Sequence, residues 1–127
     1  MNEPLILVAE DEKDIRELII ITLQISGFRV VGVINGQEAL KKAVEIKPDL
    51  ILMDVRMPKM TGFEACQILK KQEQTKNIPV VFLSAKGREG DIRTGLELGA
   101  AAYLVKPFTP EELPRCISQI LAGNDKL

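Results

Sequence analysis

The chain has 127 residues, a net charge of −1 and 28% charged residues. That length suits one domain with a full core, which buries about two thirds of the unfolded chain's surface without covalent staples. The balanced charge lacks the basic footprint of a nucleic-acid binder, and the absence of histidine removes histidine zinc sites, histidine general bases and any phosphohistidine role. Cys66 and Cys116 lie far apart among helix-forming residues and read as reduced thiols of a cytoplasmic protein. Glu3 and Glu10-Asp11-Glu12 interrupt any signal-peptide pattern, and every apolar run, Leu18 to Ile21 among them, falls far short of the ~20 residues of a membrane span. The expectation is a soluble, cytoplasmic protein with no membrane partner and no direct nucleic-acid binding.

Short apolar runs alternate with helical patterns along the chain. Leu5–Ala9 reads as a strand, β1, and Glu12–Ser26 as a helix, α1, stopped by Gly27. Phe28–Val33 is β-branched and reads as β2. Asn35, with Glu38 three residues on, has capping-box spacing and opens a helix, α2, to about Ile46. Leu50–Met53 is β3, Thr61–Gln72 α3, Pro79–Leu83 β4, Arg88–Leu98 α4 (ending at Gly99), and Ala102–Val105 β5. Thr109-Pro110-Glu111-Glu112 supplies an N-cap, a first-turn proline and a third-position glutamate for α5, which runs to about Gly123. Pro114 falls near the fifth position of α5, where it removes a backbone bond and kinks or delays the helix.

Strands β1, β3, β4 and β5 are continuous apolar runs, as expected of strands covered on both faces. They predict a doubly wound five-stranded parallel sheet with five helices in a three-layer α/β sandwich. The 127 residues read as a single domain with a core at about 5–122, without an effector domain. Asn124 to Leu127 reads either as the chain end or as the start of a linker.

Ligands of open α/β sheets bind at the carboxyl ends of the strands. There β1 delivers Glu10 and Asp11, β3 Asp54, β4 Ser84, and β5 Lys106 followed by Pro107. Singly, each has an ordinary explanation: a turn aspartate, a helix-capping acid pair, a turn serine, a solvated lysine. Together they crowd three carboxylates, which repel one another unless a cation joins them, and hard oxygen ligands in a partly open cluster suit Mg2+.

Glu10-Asp11, Asp54, Ser84, Tyr103 and Lys106-Pro107, in that order and in those places, resemble a response-regulator receiver domain, the CheY-like domain of two-component signalling. "DLILMDVRMPKMTG" and "GAAAYLVKPF" are similar to its two best-known blocks, and the resemblance covers residues 5 to about 122. It implies a flavodoxin/CheY-like strand order of 2-1-3-4-5 and a phosphorylation-dependent switch rather than an enzyme. It also implies roles. Asp54 is the phosphoacceptor. Mg2+ is held by Asp11, Asp54 and the backbone carbonyl of Arg56, with Glu10 acting through a water. Lys106 pairs with Asp54 or a phosphoryl oxygen, and Lys106-Pro107 is a cis bond. Ser84 binds a phosphoryl oxygen, and Tyr103 follows Ser84. The implied partners are a sensor histidine kinase or histidine phosphotransfer protein, and an effector or homodimer through the α4-β5-α5 face.

Ala100-Ala101-Ala102 stands where many DNA-binding relatives carry acidic residues, which speaks against their salt-bridged dimer. Arg56 and Lys86 each lie two residues past a site residue, either as rim charges or as controls on water access and phosphate lifetime. In α1, Ile15, Leu18, Ile19, Ile21, Thr22, Leu23, Ile25 and Ser26 span roughly 200°, wider than one core-facing stripe. Either the helix is broadly buried with scattered exposure, or Ile15, Leu18 and Ile21 edge a docking surface. Among competing functions, a haloacid-dehalogenase-like phosphatase needs a second aspartate where Arg56 stands. A flavodoxin-like nucleotide binder needs a Gly/Ser/Thr-rich first loop where Glu10-Asp11-Glu12 stands. A receiver fold signalling without phosphate is disfavoured because every site residue is present.

Overall fold

The structure is a computed structural model that describes residues 3–85 and 89–123. Its sheet is five-stranded and parallel in the order β2-β1-β3-β4-β5. The elements are β1 (Leu5–Ala9), α1 (Lys13–Ile25), β2 (Arg29–Val33), α2 (Gly36–Ile46), β3 (Leu50–Asp54), α3 (Gly62–Lys71), β4 (Val80–Ala85), α4 (Glu89–Glu97), β5 (Ala102–Lys106) and α5 (Glu112–Leu121). β2 is an edge strand, and the order reverses between β1 and β3, whose carboxyl ends therefore flank the natural crevice.

The apolar strand runs are explained by two separate core layers. Ile6, Val8, Leu50, Leu52, Val81 and Leu83 face α1 and α5, where Ile19, Leu23, Leu113, Ile117 and Ile120 meet them. Leu7, Ala9, Ile51, Met53, Val80 and Phe82 face the other way, onto Ala39 and Ala43 of α2 and Ala65, Cys66 and Leu69 of α3. Side chains alternate between faces along a strand, so burial on both sides requires apolar residues at every position. Both cysteines are buried free thiols, and burial pushes both up, Cys116 to about 11. Among the described residues no helix is long and apolar enough to cross a membrane.

Helix starts follow local chemistry. Thr61 and Glu64 exchange hydrogen bonds of 2.9 and 3.1 Å in a full capping box before α3. Asn35 caps α2 by accepting from the Glu38 N–H at 2.8 Å, while the Glu38 carboxylate reaches back one residue further, to the Ile34 N–H. Thr109 and Glu112 form the same reciprocal pair, but α5 starts at Glu112, later than the sequence spacing places it. Pro114 accounts for the delay. It becomes the third residue of α5, inside the first turn, where a missing N–H costs nothing.

Three strands also reach further than the apolar runs. β3 includes Asp54, β4 includes Ser84 and Ala85, and β5 includes Lys106. The candidate site residues thus stand on the sheet itself, with Ser84 paired to Val105 and Ala85 to Lys106. Polar residues at strand ends hide from hydropathy but not from the ladder. Arg88, Lys86 and Asn124 to Leu127 lie outside the described residues.

Candidate functional site

β1, β3 and β5 bring Glu10, Asp54 and Lys106 together. Lys106 Nζ donates to Asp54 Oδ2 at 2.8 Å and to Glu10 Oε1 at 2.9 Å. The Arg56 backbone N–H donates to Asp54 Oδ1 at 3.1 Å, and the Glu12 N–H to Glu10 Oε2 at 3.1 Å. Both carboxylates are buried, with Glu10 fully so, whereas Asp11 is exposed. One oxygen from each of Glu10, Asp11 and Asp54 lies within 4.8 Å of the other two. The Lys106-Pro107 peptide bond is cis.

The electrostatics follow from that crowding. Burial and the adjacent Asp54 push the Glu10 carboxyl up to about 7, against the downward pull of Lys106 and of the Glu12 N–H. Burial depresses the Lys106 ammonium, but bonds and charge from Asp54 and Glu10 outweigh it and hold the group above its ordinary value. The one ammonium does not fully offset two buried carboxylates. The donor set is therefore a hard-oxygen cluster, open on the Asp11 side and short of positive charge, which fits a small divalent cation.

The remaining residues frame this centre. Ser84 is buried, and its hydroxyl donates to Asp91 Oδ2 of α4 at 3.4 Å. The Arg56 guanidinium reaches Asp91 Oδ1, also at 3.4 Å. The Tyr103 hydroxyl is buried with no hydrogen-bond partner among the described residues. Burial pushes the phenol up, and Ser84 lies close enough to pull the other way without meeting hydrogen-bond geometry. In α1, Ile19 and Leu23 are buried, Ile15 is half-buried, and Leu18 and Ile21 are 62% and 53% exposed. Ile15 and Leu18 line a cavity of about 200 Å³ with Lys106, Pro107 and Phe108, while Ile21 lies outside it. A larger open cavity of about 570 Å³, lined by Glu3, Arg29, Lys47 and Asp49 among others, sits far from the acidic cluster at the amino edge of the sheet.

Two contributors escape sequence reasoning, and a third, Gly62, reads there only as a constraint on the loop after Asp54. Asp91 has no spacing signal linking it to Ser84 or Arg56. Arg16 donates to the Glu10 carbonyl at 2.8 Å, tying α1 to the acidic loop. Gly62 sits so close to the Asp54 carbonyl oxygen that a β-carbon there would collide with it.

A parallel α/β sandwich that sets three carboxylates and a lysine at the carboxyl edge, beside its switch point, defines a class of domain that handles small ions or phosphate there. The sequence profile of the response regulator receiver domain matches residues 6–118, and the chain belongs to that family. It is 45% identical over 120 residues to the alkaline phosphatase synthesis transcriptional regulatory protein PhoP of Bacillus subtilis, covering 94% of this chain and 49% of that one. It is 41% identical to the phosphate regulon transcriptional regulatory protein PhoB of Pseudomonas aeruginosa, covering 91% of this chain and 51% of that one. The chain thus spans about half the length of these curated relatives. A putative response regulator from Chloroflexus aurantiacus superposes with a TM-score of 0.92 at 31% identity, covering 95% of this chain and 99% of that one. The receiver domain of the sensor histidine kinase PA1611 of Pseudomonas aeruginosa, with a magnesium ion in its active-site cleft, superposes at 0.86 and 34% identity, covering 96% and 99%.

Proposed function

We propose that Asp54 accepts a phosphoryl group from a phosphohistidine of a sensor kinase or phosphotransfer protein, and that the charge it gains resets the α4-β5-α5 surface for an effector or a second copy of the chain. The observation that carries this reading is the Asp54 carboxylate, buried at the switch point with Lys106 Nζ at 2.8 Å. A carboxylate oxygen bonds to phosphorus while the phosphorus–nitrogen bond of the donor breaks, and the imidazole leaves with the electron pair. Water later cleaves the acyl phosphate to inorganic phosphate and the free carboxylate.

Phosphoryl transfer needs positioning and charge neutralisation above all. Lys106 supplies one fixed positive charge. Asp11, Asp54 and the Arg56 carbonyl would hold Mg2+, which when bound neutralises the phosphoryl oxygens. Glu10 has one oxygen on Lys106 and the other on the Glu12 N–H, which supports an indirect role through water. Ser84 would bind a phosphoryl oxygen. Incubation with acetyl phosphate and Mg2+ is expected to form an acyl phosphate on the wild type and none on Asp54→Asn. A wild type that stays unlabelled overturns the reading.

The α1 flank supports a docking role for Ile15, Leu18 and Ile21, because Ile15 and Leu18 line a cavity with Lys106, whose ammonium holds Asp54, and the exposed Ile21 lies on the same helix. Leu18→Asn and Ile21→Asn are expected to slow transfer from a kinase about tenfold, the size of one lost apolar contact at an interface. Labelling by acetyl phosphate should be unaffected. Equal slowing with both donors would remove the docking role.

A further inference from the structure

We propose that Asp91 is a positioning residue that holds the Ser84 hydroxyl, and with it α4, in the unphosphorylated arrangement, so that phosphorylation acts by taking Ser84 away from Asp91. The inference rests on the roles proposed for Asp54 and Ser84.

Ser84 lies at the end of β4, is 2% exposed, and has two acceptors within reach among the described residues: Asp91 Oδ2 at 3.4 Å and the carbonyl of neighbouring Ala85 at 3.5 Å. Asp91 lies in the first turn of α4, its side chain 14% exposed, with its other oxygen 3.4 Å from an Arg56 nitrogen. One carboxylate thereby bridges three elements: the end of β4, the loop after β3, and α4 itself. An acid in a first helical turn is common because it complements the helix dipole. The dipole explains an acid there, but not why its two oxygens face partners from two other elements.

The response to phosphate then follows from charge. A phosphoryl group adds about two negative charges beside Asp54. It attracts the Ser84 hydroxyl away from Asp91. It attracts the Arg56 guanidinium away from Asp91. It repels the Asp91 carboxylate directly. All three effects have the same sign and all loosen α4. Both contacts of Asp91 lie beyond the ordinary 2.7–3.2 Å range, so the hold is weak enough for one added group to break. Gly95, one turn further along α4, lets Phe82 and Tyr103 pack directly beneath the helix, where a β-carbon would collide with Phe82. The Tyr103 ring thus packs against the same helix that Asp91 fastens.

Beryllium fluoride with Mg2+ mimics a phosphoryl group on a carboxylate, and calorimetry on the full chain gives its half-saturating concentration. Asp91→Ala is expected to tighten that binding about three- to tenfold, the range of a modest coupling between a site and a two-state element. Asp91→Asn, which keeps an acceptor for Ser84 but loses the charge, should fall between it and the wild type. In a Ser84→Ala background the effect of Asp91→Ala should shrink below about twofold, since a double-mutant cycle isolates the pair. An unchanged midpoint in both Asp91 variants, or the same shift with and without Ser84, overturns the inference. Acetyl phosphate labelling of the same preparations separates the two failures. A labelled wild type with an unmoved midpoint sinks only the role of Asp91, whereas an unlabelled wild type sinks the site as well.

Discussion

Lys106→Ala is expected to cost the metal-free protein roughly 2–3 kcal/mol at pH 8 and markedly less at pH 5. Among the described residues Lys106 Nζ is the one cation in contact with the two buried carboxylates, so its loss leaves them facing each other. The upper range for breaking a buried pair is discounted because the Lys106 side chain is 22% exposed. The pH dependence follows from Glu10. Its carboxyl sits at about 7 in the fold against 4.5 ordinarily, so the folded state holds the proton more tightly. That contribution is fully present below the unfolded value and is withdrawn as pH rises through 7, a swing on the order of 3 kcal/mol. Without Lys106 the Glu10 carboxyl rises further, and the loss extends to higher pH. Urea unfolding in a chelator at pH 5, 7 and 8 measures this, and a cost independent of pH would count against it. Added Mg2+ should restore part of the stability, because it binds only the folded cluster. Acyl-phosphate formation should fall about a hundredfold, as when one fixed charge-stabilising donor is removed from a reacting centre.

Gly62→Ala is expected to destabilise the fold by about 2–3 kcal/mol, lowering Tm by about 10 °C for a domain of this size. Any side chain at Gly62 meets the carbonyl of Asp54 and the α-carbon of Val55, both fixed in or beside the central strand. The Gly62 N–H also donates to the Val55 carbonyl at 2.9 Å, so the start of α3 cannot simply move away. Gly90→Ala is the control: a β-carbon there meets nothing within 4 Å, and stability should stay level or rise by about 0.5 kcal/mol. Because the collision is with the backbone of Asp54, Gly62→Ala should also slow labelling by acetyl phosphate, while Gly90→Ala should not. Equal melting temperatures for the two variants would refute the close-contact explanation.

The parts of the fold that sequence makes legible are those carried by local pattern. Ile6 to Ala9 and Leu50 to Met53 announce two-sided burial by having no polar residue at either phase. Asn35, Thr61 and Thr109 announce helix starts through residues three positions away. Asp54 is legible because a carboxylate interrupts the chain's most buried strand. What stays hidden is relation across distance. Strand order brings Glu10 and Lys106, 96 positions apart, to one edge without saying that they bond, and nothing joins Asp91 to Arg56, 35 apart. The late start of α5 was half visible, since Pro114 shows an obstacle but not whether the helix bends or waits. The wide apolar arc of α1 divides in the fold into the buried Ile19 and Leu23 and the exposed Leu18, Ile21 and Ile25. Periodicity alone does not say where along such an arc the core ends.

The wide separation of the three charged residues has a consequence for how the protein is made. Glu10 and Asp54 leave the ribosome early, and Lys106 follows with the last strand. A nascent chain that stops after β4 carries the acid pair without its ammonium, and without the edge strand that covers Phe82 and Leu83. Long-range pairing of this kind closes last in folding, after the local elements have formed. A half-folded chain without β5 therefore lacks the one protein charge proposed to meet an incoming phosphoryl group. On the proposed reading the site gains its ammonium only when β5 joins the sheet, which makes its chemistry a check on the closure of the fold that bears it.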